Sequence, residues 1–388
     1  MRCYITKQGT TIVKDGDRLL VKKGDDIYHT LFIRKLEQIL IFGNVSITPP
    51  ARRALFKQNV DVVFLTKTGR YVGRYSLDES KNFFLRKKQF QLMDDENFVL
   101  NICKSIVSAK LFSMVSLLMR IARTKDKKLC KDKANEIKKL INELGEANSV
   151  DSVRGYEGKG SSIYFSGFSN GFIEDLGFRK RVRRPPTDPV NSVLSLLYTF
   201  LFNRVYAAIR AANLDPYVGD LHSSDYGRLA LVMDLMEEFR VIICDTLCLS
   251  LFNLGMLKNK DFEQIRPEPF EDSSIDLREK PHEDDIIKDK FGLMSANSPS
   301  EFFDVPEQRF SEHGVDLNRN DKGKLPVQLT QEALKKVISA FEKKLQTEFY
   351  YEPIGKRISY EKAIFEQARM YRKVIEGEIK TYVPLVLK

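Results

Sequence analysis

The spacing of apolar residues changes once along this 388-residue chain, and that change limits the fold more than any other feature. Through the first 76 residues apolar and polar side chains alternate in short runs; from about Lys81 onward apolar residues recur every three or four positions. The alternating part predicts strands over residues 10–14, 18–22, 28–33, 38–42, 61–65 and 71–75, and one short helix over 50–58 after the Pro49-Pro50 stop. Asp15-Gly16-Asp17 separates the first two strands, and an Asp-Gly pair between alternating runs favours a tight hairpin. The second part predicts helical stretches over 82–123, 131–144, 190–212, 229–257, 331–345 and 360–377, with a break near Gly255 and Thr330 as an N-cap. Residues 190–212 are apolar nearly all round and are expected at the buried centre of a bundle. The fold class expected is α+β: a small N-terminal β-sandwich-like domain followed by a larger all-α domain.

Charge divides the chain differently. The whole carries a net charge of +10, but residues 266–325 hold 15 acidic against 9 basic residues, a net of −6, so the remainder carries +16. The same stretch has five of the 14 prolines and no regular period, and reads as an acidic, Pro-containing insertion. The domains expected are therefore 1–78 (β), 79–265 and 326–388 (helical), with the insertion between the helical parts. A surplus of +16 outside the insertion points to a polyanionic partner. Five scattered cysteines, an odd number, argue against a disulfide framework, and Cys244 and Cys248, at i,i+4 on an apolar pattern, read as core thiols. The longest apolar stretches are 193–202, too short to cross a bilayer, and 241–257, which carries Asp245; neither is expected to span a membrane. With only a very short apolar run between charges at its start, the chain is expected to be cytoplasmic.

Candidate chemistry falls in separate segments. His222 stands in the polar turn Gly219-Asp220-Leu221-His222-Ser223-Ser224-Asp225, which suits either a surface residue or a ligand. In the helix that follows, Asp234 and Glu237 lie three apart among Leu231, Val232, Leu235, Met236 and Phe239. Carboxylates in such surroundings need a partner or a metal, and Arg240 at i+3 from Glu237 is one available partner. Glu157 sits between glycines in Arg154-Gly155-Tyr156-Glu157-Gly158-Lys159-Gly160, which marks either an ordinary turn or a close backbone approach. One Glu, one His and one Asp form a mixed oxygen and nitrogen set suited to Mg²⁺ or Mn²⁺, ions that polarise phosphoryl oxygens. The run Arg179, Lys180, Arg181, Arg183, Arg184 reads as a solvated face or, since Arg grips phosphate with two donors, as a nucleic-acid backbone contact.

The order Gly155-Tyr156-Glu157-Gly158, Arg183-Arg184-Pro185-Pro186-Thr187-Asp188-Pro189-Val190-Asn191, Leu221-His222 and Asp234-Leu235-Met236-Glu237-Glu238-Phe239-Arg240 closely resembles the CRISPR-associated integrase/endonuclease family of spacer acquisition. This is the larger of the two adaptation proteins found with most CRISPR arrays, and the resemblance covers roughly residues 1–265 and 326–388. It implies an N-terminal β-domain that mediates homodimerisation and a helical catalytic domain. It implies Glu157, His222 and Asp234 as the catalytic metal ligands for Mg²⁺ or Mn²⁺, with Glu237 at an additional acidic position. Asp188 is expected to start a helix and Asn191 to make a buried polar contact. The activity implied is metal-dependent DNA integration: a protospacer 3′-hydroxyl attacks a phosphodiester at the leader–repeat boundary by transesterification. The partners implied are the protospacer duplex, the CRISPR repeat and the small second adaptation protein, two dimers of this chain flanking one of the other. A branched-DNA repair nuclease using the same site, and a non-catalytic nucleic-acid-binding scaffold, are the alternatives. The insertion is longer and more acidic than the resemblance leads one to expect, and is expected to be dispensable for catalysis.

Overall fold

The computed structural model describes residues 1–75, 82–125, 128–182, 186–222, 227–264 and 325–387. Eight strands fill the N-terminal part: β1 (Arg2–Ile5), β2 (Thr10–Asp15), β3 (Arg18–Lys23), β4 (Asp26–Phe32), β5 (Gln38–Phe42), β6 (Val45–Ile47), β7 (Asp61–Leu65) and β8 (Tyr71–Tyr75), with helix α1 (Pro49–Lys57) between β6 and β7. They form two four-stranded sheets, ordered β1-β5-β7-β8 and β4-β3-β2-β6. The Asp-Gly hairpin is present: Asp15 pairs with Arg18 across a two-residue turn in which Gly16 has φ +54°. The short β1 and β6 escape the alternation reading. Both pair in parallel with strands distant in sequence, β1 with β5 and β6 with β2, so no local turn signal announces them.

The two faces of the first sheet bury into different cores. Ile5, Ile39, Ile41 and Val62 pack toward the second sheet and α1, while Leu40, Phe42, Val63 and Leu65 join the helical core. Period-2 alternation on a strand with both faces covered explains why β5 is buried throughout. Polar contacts tie the parts together: Arg204 donates to Gln38 Oε1 at 2.8 Å and Arg74 to Asn203 Oδ1 at 2.9 Å.

The helical part comprises α2 (Phe83–Leu92), α3 (Glu96–Lys125), α4 (Lys128–Leu144), α5 (Val150–Phe168), α6 (Pro189–Ala211), α7 (Ala230–Phe239), α8 (Thr246–Asn253), α9 (Gln331–Leu345) and α10 (Tyr360–Glu376). A wide π turn, Arg240–Asp245, joins α7 to α8 in one continuous apolar rod. Thr330 caps α9 as expected, accepting from Ala333 N, and Gly377 ends α10 at φ +78°. Two expectations need correction. The stretch 82–123 is two helices rather than one, parted at Met93–Asp95, where Asp95 caps the second. The region is also not wholly helical. Ribbon β9 (Phe262–Gln264) pairs with β10 (Val327–Leu329), and β11 (Glu348–Tyr351) with β12 (Lys356–Ser359). The first ribbon brings Gln264 opposite Val327, so the described chain on either side of the acidic insertion meets in one ladder. The insertion itself, the domain boundary at 78, and Arg183 and Arg184 lie outside the described residues.

Helix α6 is the buried axis, and Asp188 and Asn191 build its start. Asp188 caps it by accepting from Asn191 N at 2.8 Å, and fully buried Asn191 donates to Asp188 Oδ2 and to Lys180 O. Helices α3 and α6 are long and apolar enough to cross a membrane by composition, but two thirds of each apolar window is buried inside this fold. Cys244 and Cys248 are buried, and burial pushes both thiols well above their usual range, so they are core residues.

Candidate active site

Glycines place Glu157, though not as a turn. Gly155-Tyr156-Glu157-Gly158 lies inside α5, which Ser149 caps. Mid-helix glycine costs up to about 1 kcal/mol relative to Ala. At Gly160 and Gly167 that cost accompanies contact: an added Cβ would fall 2.3 Å from Leu111 Cδ2 and 2.8 Å from Leu118 Cδ2. The two glycines, one above the other, let α5 lie directly against α3. This sets Glu157 beside Lys110 of α3, with Ser161 Oγ donating to Glu157 Oε1 at 2.9 Å.

The segment carrying His222 is fixed from four helices. Gln89 of α2 donates to the carbonyls of Asp215 and Val218, both at 2.9 Å, and Arg86 pairs with Asp215. Arg154 of α5 donates to Leu221 O at 2.6 Å, and Tyr371 of α10 to Asp220 Oδ2 at 2.7 Å. From α7, Asp234 accepts the backbone N–H of Asp220 (2.6 Å), Leu221 (3.0 Å) and His222 (3.0 Å), and the His222 Nδ1 proton at 2.6 Å. Two bonds to each oxygen fill the roughly four acceptor positions a carboxylate offers. With Nδ1 donating, the ring presents Nε2 as its acceptor, and Nε2 lies 3.9 Å from Glu237 Oε1. Gly219 makes this cradle possible: a Cβ there would meet Ala230 C, Leu231 N and Asp234 Oδ2, each at 2.6 Å. Backbone atoms at the start of α7 cannot yield as a side-chain end can. Gly219→Ala is therefore expected to cost about 1–3 kcal/mol by overpacking and to displace His222, a loss of stability that thermal unfolding would register.

Glu237 and Asp234 stand three apart on α7 but have different surroundings. Glu237 Oε1 is 3.1 Å from Arg240 Nη2, so the pairing foreseen at i+3 is present, and Oε2 is 2.6 Å from Lys110 Nζ. The Lys110 ammonium thus bridges Glu237 and Glu157. Burial opposes ionisation of Glu237, but the nearby cations, Arg240 first and then Lys110, outweigh it and hold this carboxyl well below the ordinary range. For Lys110 burial likewise opposes the charge, and the two carboxylates outweigh it, keeping the ammonium protonated. Each Glu237 oxygen thus meets one cation, Oε1 Arg240 and Oε2 Lys110, where each Asp234 oxygen accepts two bonds, so Glu237 keeps acceptor capacity that Asp234 lacks.

The four residues singled out from sequence thus meet in one place but not as a ready metal cage: among the described residues no three His, Cys, Asp or Glu side chains form one. Glu157 and Glu237 instead flank the Lys110 ammonium, His222 Nε2 lies 3.9 Å from Glu237 Oε1, and Asp234 holds the histidine and its backbone. Two carboxylates about a buried positive charge, with an imidazole nitrogen on the side of one of them, fit a divalent ion of the Mg²⁺ or Mn²⁺ kind.

The basic run divides as well. Arg179 is exposed and pairs with Asp175 at 2.6 Å, and Lys180 is exposed. Arg181 departs from the expected phosphate contact. It donates to Val182 O and Asn191 Oδ1, both at 2.8 Å, and to Ser195 Oγ at 3.0 Å, and lies over the Tyr198 ring. Lys110, Arg86, Gln89 and Gly219 were not foreseen as parts of the site. Lys110 left a signal: it is the one charge in the apolar run Ile106-Val107-Ser108-Ala109-Lys110-Leu111.

Comparison with known proteins places the chain. Its residues 3–268 match the sequence model of the family described as CRISPR associated protein Cas1. "CRISPR-associated endonuclease Cas1 4" of Methanospirillum hungatei is 34% identical over 67% of this chain and 73% of its own length. "CRISPR-associated endonuclease Cas1 3" of Thermus thermophilus is 28% identical over 99% of this chain and 97% of its own. That second match runs through the acidic insertion, so a chain of this length is shared with at least one relative. Among solved structures, a casposase bound to integration product superposes with TM-score 0.77 at 20% identity, over 100% of this chain and 95% of that one. A Cas6-RT-Cas1–Cas2 complex chain also gives 0.77, at 22% identity, with this chain spanning only 36% of that longer one. Because the family model matches well over half of the sequence, the chain belongs to the CRISPR-associated Cas1 family.

Proposed function

We propose that the chain is the integrase and endonuclease of CRISPR adaptation, joining protospacer 3′-hydroxyl ends into the CRISPR repeat by metal-dependent transesterification. The observation that carries this reading is the meeting of Glu157 and Glu237 on one buried ammonium, with His222 Nε2 3.9 Å from Glu237. Family membership supports the chemistry, since relatives are named endonucleases and one structural neighbour is a casposase bound to integration product. Glu157, Glu237 and His222 Nε2 would hold the Mg²⁺ or Mn²⁺ ion. When bound, it supplies charge neutralisation at the reacting phosphate. The chain's own residues do the rest. Asp234 keeps the proton on Nδ1 so that Nε2 stays available, and the three amides it accepts fix the ring's position. Arg240 holds Glu237 from the other side. Positioning and electrostatics of this kind are what phosphoryl transfer asks of a protein.

DNA, the protospacer duplex and the repeat, would be the substrate. The exposed Arg179 and Lys180 are available for its backbone, as Arg181 is not. The small second adaptation protein would be the partner, in keeping with the Cas1–Cas2 complex among the structural neighbours. Homodimerisation through the β-part fits strand β4, which lies at a sheet edge and exposes Ile27, Tyr28 and Phe32. A cytoplasmic site of action follows from the DNA substrate.

The test is a strand-transfer assay with labelled duplex bearing 3′-hydroxyl ends, supercoiled plasmid carrying a repeat, the small partner, and either Mn²⁺ or EDTA. Metal-dependent joining is expected in the wild type and not in Glu157→Ala or His222→Ala. Metal-dependent cutting of branched DNA without joining would favour the repair nuclease. The scaffold reading draws on the Glu237–Arg240 pair, and would stand if neither activity nor any metal response appeared in folded protein.

A further inference from the structure

Lys110 is the only lysine among the buried polar residues described, 3% exposed and flanked on α3 by buried Ile106, Val107, Ala109 and Leu111. An ammonium so placed costs several kcal/mol unless paired, and its two partners are the carboxylates of Glu157 and Glu237. Those two acidic groups would otherwise repel each other in an apolar surrounding. With Lys110 and Arg240 on one side of the account and Glu157 and Glu237 on the other, the cluster is formally neutral with no ion present. A divalent ion between the same carboxylates would occupy the space the ammonium fills. Lysine suits such an exchange, because its charge sits at the end of a four-carbon stem with rotatable bonds.

We propose that Lys110 is the resident cation of the active site: its ammonium bridges Glu157 and Glu237 in the metal-free protein, holds them in register, and must leave the bridge when a divalent ion enters. This rests on the metal-site reading above and adds to it a positioning residue that competes with the ion. Protein with Lys110 in the bridge is not competent to bind metal, so apparent affinity falls by the fraction of molecules in the open arrangement.

The experiment measures thermal unfolding of the wild type, Lys110→Met and Lys110→Arg in EDTA and in saturating Mn²⁺, together with Mn²⁺ titration followed by the EPR signal of the unbound ion. Lys110→Met is expected to melt several degrees below the wild type in EDTA and to recover most of that loss in Mn²⁺. It should also bind Mn²⁺ about tenfold more tightly. Lys110→Arg keeps the charge and should track the wild type in EDTA. A purely structural lysine would lower the melting point equally in both buffers, and that result overturns the proposal. So does an unchanged Mn²⁺ affinity, or a Lys110→Met protein that fails to fold even with Mn²⁺. A wild type that shows no Mn²⁺ response at all fails differently: it removes the metal-site reading, and this proposal falls with it.

Discussion

On the proposed function, Glu237→Gln is expected to lower Mn²⁺-dependent strand transfer by about 10²–10³-fold and to abolish any stabilisation of the folded protein by saturating Mn²⁺. Asp234→Asn is expected to lose activity by another route. Glu237 faces Lys110, Arg240 and the His222 Nε2 side, and its oxygens have acceptor capacity to spare. Gln at 237 retains one acceptor but leaves Lys110 and Arg240 with one carboxylate charge between them, so the melting point in EDTA should fall as well, and the missing Mn²⁺ response is what marks Glu237 as a ligand. Asp234 has no capacity left, because three backbone amides and the imidazole Nδ1–H already fill it. An Asn there turns an NH₂ toward either the amides of Asp220 and Leu221 or the pair of donors on His222. Backbone N–H groups cannot reverse their polarity to accept it. Stranding buried donors in this way costs about 2–5 kcal/mol, or a melting point roughly 4–20 °C lower at ~2–4 °C per kcal/mol. Metal binding by Asp234→Asn should weaken only about 10–100-fold, as for a group acting through a ligand, so saturating Mn²⁺ should still stabilise it. Thermal unfolding across a Mn²⁺ series separates the two residues. A stable Asp234→Asn protein with no Mn²⁺ response would make Asp234 the ligand and remove Glu237 from that role.

The acidic positions were legible because charge on an apolar helix face demands an explanation, and Asp234 and Glu237 stand among Leu231, Val232, Leu235 and Met236. What sequence could not divide was the labour between them. They are one helical step apart, and only the return of the 219–222 backbone against α7 makes one a scaffold for amides and leaves the other facing a cation. Lys110 obeys the same rule in α3 and could have been found by it. The glycines around Glu157 suggested a turn because glycine is disfavoured in helices. Gly160 and Gly167 are tolerated in α5 because Leu111 and Leu118 of α3 occupy the space a Cβ would need, a tertiary fact with no local signature. The basic run shows the opposite limit. Five positive charges in sequence read as one surface, yet the Arg181 guanidinium turns inward to Asn191 and Ser195. The buried polar role foreseen for Asn191 was the clue that such an inward partner was needed.

A last expectation concerns acid rather than metal. Burial, the largest cause in each case, pushes three further carboxyls up: Asp220 to about 8, where the Asp234 charge adds to it, Glu238 to about 7 and Asp245 to about 6. A carboxyl raised in the folded state keeps a proton that the unfolded chain has lost. Its contribution is fully present below the unfolded value, near 4, and declines as pH rises through the folded one. Stability should therefore fall from about pH 4.5 to pH 8, while the lowered Glu237 works the other way only in stronger acid. Asp245 offers the clean test because its partners are the hydroxyls of Tyr164 and Tyr198, each at 2.7 Å. A hydroxyl can accept as well as donate, so Asn at 245 keeps both contacts, unlike Asn at 234. Asp245→Asn should gain on the wild type by roughly 1–3 kcal/mol between pH 4.5 and pH 7.5, most of the cost of ionising a buried carboxyl shifted by about two units. Urea unfolding at both pH values measures the gap directly. Parallel curves with no widening would mean that Asp245 ionises as readily in the folded protein as in the unfolded chain, and that its two tyrosines and the nearby Arg240 and Arg181 offset its burial in full.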